Sequence, residues 1–292
     1  MKASILVTGG DSAYFPLMRE MIGSVRSHPA AAGIALGVLD CGLAAAEVDW
    51  CRGQGAAVVE PSWDVALRPD LPVPPSFRAL TARPYLRRYF PGFDTYLWLD
   101  ADVWVQDWRA AELLMTAAHL GDIAIVPEMH RSYRNFRDTR DDFEQANGRG
   151  YADAFGSETA HRLIRMPLNN AGVFAIASGS RTWDVWAAVL DEAARRSVNM
   201  IDQIALNVAI YDRGLREARL PATCNWIAHL ATPAWDPGRN LLVEPDPPYE
   251  PIGILHMTLA TKWAPSLELP LANGTGGTIA RSLRWPGRTA IL

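Results

Sequence analysis

The stretch Tyr96-Leu97-Trp98-Leu99-Asp100-Ala101-Asp102-Val103-Trp104-Val105 most constrains how this chain folds. Residues 96 to 99 are too apolar for a surface strand and predict a buried strand of a mixed or parallel sheet, whose end opens into a cleft. In extended geometry Asp100 and Asp102 point to one face, and like charges that close repel unless a cation or a proton lies between them. A hard divalent cation suits that arrangement. Such an ion can bridge the carboxylates to a diphosphate and neutralise the charge that develops when a phosphate-linked group leaves. A second reading stays open, in which an Asp-rich turn merely caps the next helix. Asp107 suits that role better, because Trp108-Arg109-Ala110-Ala111-Glu112-Leu113-Leu114 reads as a helix start.

The flanking segments predict an α/β fold. Ser4 to Thr8 reads as a first buried strand, followed by the turn Gly9-Gly10-Asp11-Ser12-Ala13-Tyr14 and then by Phe15, Met18, Met21, Ile22 and Val25 at helical spacing. The turn puts a carboxylate and an aromatic ring at the carboxyl end of a strand, where open α/β sheets bind ligands. It lacks both the Gly-x-Gly-x-x-Gly and the Gly-Lys-Ser/Thr phosphate-binding patterns. A second strand at 34–39, an Ala-rich helix to about Gln54 and a third strand at 57–59 alternate as in a doubly wound parallel sheet. A proline-rich connection leads to a predicted helix from Phe77 to Phe90 that carries Arg83, Arg87 and Arg88, read either as anion holders or as solvated surface.

Beyond the helix at 108–120 and a strand at 123–126, residues 127–166 are polar and irregular, with Arg131, Arg134, Arg137, Arg140, Asp141, Asp142 and Glu144 crowded together. This is either a binding loop or a solvated helical hairpin. Asn169 to Ile176 returns to a strand with polar amides and Gly172 at its entry. Residues 181–196 form a helix burying Trp183, Trp186, Val189 and Leu190. Asp202, at the next helix start, reads as an N-cap when taken alone. Gly253 to His256 is a short buried strand ending in histidine, either structural or the third ligand of a two-carboxylate metal site. The Gly- and Pro-rich end, with Arg281, Arg284, Trp285 and Arg288, reads as a loose tail or a weak membrane contact.

Composition narrows the function classes. A formal charge of −4 over 292 residues gives no footprint for nucleic acid, and 49% hydrophobic content suffices for one large domain. No apolar run has the length of a membrane span and the N-terminus lacks a signal pattern, so a cytoplasmic protein is expected, with membrane contact at most peripheral. Cys41, Cys51 and Cys224 have no metal-type spacing and read as reduced, mostly buried thiols. Asn273-Gly274-Thr275 is a glycosylation sequon only in a secreted chain.

From Ser4 to about Trp263 the order of these features resembles a nucleotide-sugar glycosyltransferase of the GT-A fold, and most of all glycosyltransferase family 8. The strongest part is Tyr96-Leu97-Trp98-Leu99-Asp100-Ala101-Asp102, similar to the strand-borne Asp-x-Asp that holds Mn²⁺ and the UDP diphosphate in that family. His256-Met257-Thr258-Leu259-Ala260-Thr261-Lys262-Trp263 is similar to its His-x-x-Gly-x-x-Lys-Pro-Trp segment, with Leu259 in place of the Gly and without the Pro. The resemblance implies a GT-A (Rossmann-like) domain over 1–265, a central mixed sheet flanked by helices, an acceptor-side region at 127–166 and a tail at 266–292. It implies Asp100, Asp102 and His256 as ligands of Mn²⁺ or Mg²⁺, and Ala101 and Lys262 at the diphosphate. It further implies Thr8, Asp11 and Tyr14 by the nucleoside, Arg83 or Arg87 by the phosphates or sugar, Asn170, Ala171 and Gly172 along the sugar, and Asp202 and Gln203 beside the anomeric carbon. Ile204 stands where the family often has a third polar residue.

The implied reaction moves a hexosyl group from a UDP-sugar to an acceptor hydroxyl with retention, on a glycan, lipid-linked or small-molecule acceptor. Two other readings remain. An Asp-x-Asp phosphohydrolase usually has Thr or Ser and a Gly-rich turn next, whereas Val103-Trp104 follows here. A non-catalytic sugar-nucleotide or carbohydrate-binding protein would keep the fold without turnover, and eleven Trp residues would support sugar stacking.

Overall fold

A computed structural model describes residues 3–134, 141–272, 274 and 276–286, with backbone alone for 141–146. Arg137, Arg140, Asn273, Thr275 and Arg288 lie outside the described residues, as do the side chains of Asp141, Asp142 and Glu144. The chain opens with β1 (Ser4–Gly10), α1 (Phe15–Arg26), β2 (Ala35–Asp40), α2 (Ala45–Gly53) and β3 (Ala56–Val59). It continues through β4 (Thr95–Leu99), β5 (Val103–Val105) and β6 (Ile123–Pro127) to the long β7 (Asn169–Ala177) and β8 (Glu217–Arg219). The strand order is β3-β2-β1-β4-β7-β6-β8. β7 runs antiparallel to both its neighbours, while β1, β2, β3 and β4 are mutually parallel, so the sheet is mixed as expected.

Period-two alternation along β4 builds both layers. Tyr96 and Trp98 enter the core shared with the helices Thr182–Ala194 and Ile201–Tyr211, whereas Leu97 and Leu99 enter the core under α1 and the helix Arg109–Ala117. Both faces are covered by helices, which is why the strand reads as unbroken apolar sequence. Trp183, Trp186, Val189 and Leu190 are buried as expected. All three thiols are free and buried; burial pushes Cys41 up to about 12 and Cys51 and Cys224 up to about 11.

Three expectations need correction. β1 continues through Gly9 and Gly10 rather than turning there, because a Cβ on Gly9 would sit 2.9 Å from the Leu39 Cβ of the neighbouring strand. The segment 77–90 is not one helix but the single turns α3 (Arg78–Thr81) and α4 (Leu86–Tyr89), with 3₁₀ turns at Pro75–Phe77 and Arg83–Tyr85. Pro84 lies inside the second 3₁₀ turn, and its missing N–H interrupts the α-helical ladder.

The third correction concerns the described residues between 267 and 286, which form a packed hairpin and its extension rather than a loose tail. Strands Leu267–Pro270 and Thr278–Arg281 pair antiparallel, Leu283 is buried, and Trp104 Nε1 donates to the Leu283 carbonyl at 2.7 Å. Arg284 makes a fork to Glu20 of α1 at 2.6 Å through each of two nitrogens, and the Trp285 indole rests on Gly23. Within 127–166 the helices Asp141–Phe155 and Ser157–Leu163 are present. No helix of the described residues is long and apolar enough to cross a membrane.

Candidate metal centre

The two acidic side chains do not lie on a continuous strand. β4 ends at Leu99, and Asp100-Ala101-Asp102 form a tight turn closed by Val103 N–H donating to the Asp100 carbonyl at 3.3 Å. The turn still aims both carboxylates at one point, because the chain resumes as β5, which pairs with Ile254–His256 so that His256 faces Val103. One ligand atom each from Asp100, Asp102 and His256 lie within 4.8 Å of one another. Two hard oxygens and one imidazole nitrogen suit Mn²⁺ or Mg²⁺.

The third wall is β7. Between Phe174, opposite Ile125, and Asn170, opposite Val126, the strand bulges away from β6 over residues 171–173. The bulge presses Gly172 against the acidic turn, with Asp100 N–H donating to the Gly172 carbonyl at 2.8 Å. A Cβ at Gly172 would overlap the His256 ring and come within 2.7 Å of Asp100 Oδ2. The absent side chain thus keeps open the space in which an ion would touch both ligands.

Charge is arranged around that space. Asp100 Oδ1 accepts from Arg83 Nη2 at 2.6 Å and from Trp98 Nε1 at 2.7 Å, which leaves Oδ2 on the side facing Gly172 and His256. Asp102 Oδ2 lies 2.5 Å from Lys262 Nζ, and its Oδ1 lies 3.3 Å from His256 Nε2. Burial lifts the Asp100 carboxyl above the usual range, with Arg83 opposing and Asp102 adding to the rise. Burial acts likewise on Asp102, but His256 and Lys262 outweigh it and hold that carboxyl well below the usual range. One of the pair therefore stays a firm anion.

Arg83 links this turn to a second carboxylate. Its guanidinium is buried, bonds the Ala171 carbonyl at 3.0 Å, pairs with Asp202 and lies over the Trp98 ring at 4.9 Å. Asp202 therefore serves an ion pair rather than a cap; Met200 is the N-cap residue, and no side chain caps that helix. Gln203 Oε1 accepts from Ala171 N–H at 2.9 Å, and the Gln203 side chain also bears on Glu128. Asn170, Ala171, Gly172, Asp202 and Gln203 thus adjoin Asp100 through Arg83 and the bulge.

Other expected residues divide. Tyr14, Ala101 and Lys262 line a cavity of about 330 Å³ beside the acidic turn, together with Gly9, Gly10 and Phe77. Tyr14 OH is 3.4 Å from Lys262 Nζ, and its ring meets Trp263 edge-on at 6.1 Å. Asp11 turns its Oδ1 back to the N–H groups of Ala13 and Tyr14, and Thr8 is sealed within the sheet; neither lines the cavity. Arg87 lies apart from them: it bonds the Ser178 carbonyl at 3.0 Å, pairs with Asp184 and covers Trp183. A continuous helix would have put Arg83 and Arg87 on one face; the 3₁₀ turn separates them.

Leu259 keeps the backbone shape that a glycine would have there, at φ +52°. Its side chain is 63% exposed and makes little return for that strain. Leu259→Gly is expected to raise stability by about 1 kcal/mol, read as a higher urea midpoint at unchanged slope. An unchanged or lower midpoint would contradict the assignment of strain to this residue.

Glu128, Asn225 and Trp98 were not singled out in the sequence as site residues. Glu128 sits just past β6, is fed by Asn170 Nδ2 at 2.8 Å, and is pushed up by burial. Isolated polar residues at element ends carry no local signal that separates them from turn residues.

No family model matches the chain, and no curated protein sequence matches it. Among solved structures it is similar to apo WbbM, described as a bifunctional glycosyltransferase, at 16% identity and TM-score 0.54, over 77% of this chain and 40% of that one. The match thus covers less than half of the WbbM chain. It also matches the galactosyltransferase LgtC in complex with donor and acceptor sugar analogs, at 18% identity and TM-score 0.49 over 86% of each chain. A further match is the glycosyltransferase GlyE of Streptococcus pneumoniae TIGR4, at 17% identity and TM-score 0.44 over 76% of this chain and 46% of that one. The sheet topology and the WbbM likeness show the GT-A fold.

Proposed function

We propose that the protein is a metal-dependent glycosyltransferase that moves a hexosyl group from a UDP-sugar to an acceptor hydroxyl. The observation that carries this reading is the convergence of Asp100, Asp102 and His256, with both carboxylates lining the cavity shared by Tyr14 and Lys262. Open α/β sheets hold nucleotides at the carboxyl ends of their strands, and β1 and β4 both end there. The glycosyltransferase description of WbbM agrees with the reading.

In this scheme Asp100, Asp102 and His256 hold Mn²⁺ or Mg²⁺, which when bound supplies positive charge to the leaving diphosphate. Lys262 adds a cation on the same side and exchanges Asp102 for phosphate oxygens. Tyr14 offers its exposed ring to the nucleobase. Arg83, oriented by Asp202 and the Ala171 carbonyl, positions the sugar beside Asn170 and the bulge. Retention follows from attack on the face the phosphate leaves, with the leaving phosphate oxygen taking the acceptor hydroxyl's proton and the Gln203 amide oxygen stabilising positive charge at the anomeric carbon. A glycosyl adduct trapped on Asp202, or on any other side chain, would defeat that course. Acceptors of the glycan, lipid-linked or small-molecule classes would enter from the 127–166 side.

The test is calorimetry of UDP with Mn²⁺, with and without chelator. Tight binding that the chelator removes is expected for the wild type. Asp102→Ala is expected to weaken it by roughly 100-fold or more, since losing even a ligand's outer partner costs about 10–100-fold. Metal-independent UDP binding, or equal binding by the variant, would overturn the assignment.

A further inference from the structure

A line of side chains leads away from His256 and ends at a carboxylate. His256 Nδ1 lies 3.1 Å from Asn225 Oδ1, Asn225 Nδ2 donates to Asn170 Oδ1 at 3.0 Å, and Asn170 Nδ2 donates to Glu128 Oε1 at 2.8 Å. Asn225 is fully buried, and Asn170 and His256 nearly so. In such a setting every polar atom needs a partner of the right kind.

An amide can be turned either way round, so the sense of the line needs a fixed reference. Asn170 has one. The Gly172 backbone N–H, which can only donate, reaches Asn170 Oδ1 at 2.9 Å. Glu128 Oε1 accepts from Asn170 Nδ2 on the other side, in agreement with that orientation. Asn170 Oδ1 then takes the Asn225 amide N–H, and Asn225 is left with only its carbonyl oxygen to offer the imidazole.

We infer that Asn225, oriented by Asn170 and Glu128, is a positioning residue that holds the proton of His256 on Nδ1 and so keeps Nε2 open toward Asp100 and Asp102 for a divalent cation. Nε2 is the nitrogen that faces the acidic turn, 3.3 Å from Asp102 Oδ1. The device is a neutral counterpart of the carboxylate–histidine pairs that orient metal ligands elsewhere. It keeps a third anion away from a site already holding two, with the line's own carboxyl set back behind two amides. The inference about metal binding rests on the function proposed above; the inference about the tautomer does not.

The experiment reads the tautomer directly. Long-range ¹H–¹⁵N spectra of the metal-free protein show which ring nitrogens of His256 carry protons. The wild type is expected to show Nδ1–H. Asn225→Leu removes the acceptor and is expected to move population to Nε2–H and weaken Mn²⁺ binding by roughly 10–100-fold. Asn225→Asp retains an acceptor for Nδ1–H and is expected to keep the proton on Nδ1. Glu128→Leu, at the far end, is expected to cost no more than about 10-fold.

A purely structural role would make the Leu and Asp variants fail alike, and that outcome overturns the inference, as does a wild type whose Nδ1 carries no proton. Should Asn225→Leu not fold, the wild-type spectrum together with Asn225→Asp and Glu128→Leu decides the question. Absence of Mn²⁺ binding in the wild type would instead overturn the proposed function, with the tautomer still read from the metal-free spectra.

Discussion

Gly172→Ala is expected to abolish metal-dependent UDP binding, a loss of at least about 100-fold, in a protein that still folds. The added methyl would overlap the His256 ring and approach Asp100 Oδ2 to 2.7 Å, so the ligand atoms cannot close on an ion. Gly172 is not among the positive-φ glycines, so alanine suits its backbone and the whole effect comes from the methyl. Overpacking of this kind costs about 1–3 kcal/mol, which a domain of ordinary stability survives. Gly179→Ala, just past the same strand, meets nothing within 4 Å and serves as the silent control. Circular dichroism checks folding, and calorimetry with Mn²⁺ and UDP reads the site. A folded Gly172→Ala variant with wild-type metal affinity would show that the ion does not sit between Asp100 and His256.

Arg83→Met is expected to lower stability by roughly 3–5 kcal/mol, because it strands Asp202 and Asp100 without their shared counter-ion. In a chain of this length that corresponds to a fall in Tm of roughly 10 °C. Methionine preserves much of the packing over Trp98, so lost volume contributes little. The deficit should depend on pH. Asp100 already lies above the ordinary carboxylate range, and without Arg83 it rises further. A carboxyl with a folded pKa above its unfolded value contributes stability below the unfolded value, near about 4, and loses it as pH rises through the folded one. The gap in Tm between variant and wild type is therefore narrowest near about pH 5 and widest at about pH 8, a comparison differential scanning fluorimetry makes directly. A pH-independent gap would assign the loss to packing instead of charge.

The main features were legible where local pattern and global fold agree. Unbroken apolar sequence marked β4 as buried on both faces, and the Asp pair at its end had no place in a core. The stripe Trp183, Trp186, Val189 and Leu190 had the helical period and faces inward. Failures fall where tertiary contact overrides local chemistry. Asp202 had every local reason to cap a helix, yet Arg83, far away in sequence, claims it. Arg83 and Arg87 looked interchangeable until Pro84 broke the helix between them. Gly9 and Gly10 suggested a turn, but at Gly9 a neighbouring strand needed the room. Glu128 and Asn225 belong to a hydrogen-bonded line whose members lie far apart along the chain and share no pattern that one sequence reveals.

The pairing of β5 with Ile254–His256 has a consequence for biosynthesis. The acidic turn emerges from the ribosome early, but its histidine partner and Lys262 are made only after the whole sheet, and nothing else in the described chain can take their places at the ligand cluster. A nascent chain halted anywhere before Ile254 would carry the acidic pair without the strand that fixes β5 beside it. Non-local pairing of this kind forms late, after intervening segments have been ordered. A chain halted there lacks the third member of the candidate cluster, which is made only after every strand of the seven-stranded sheet.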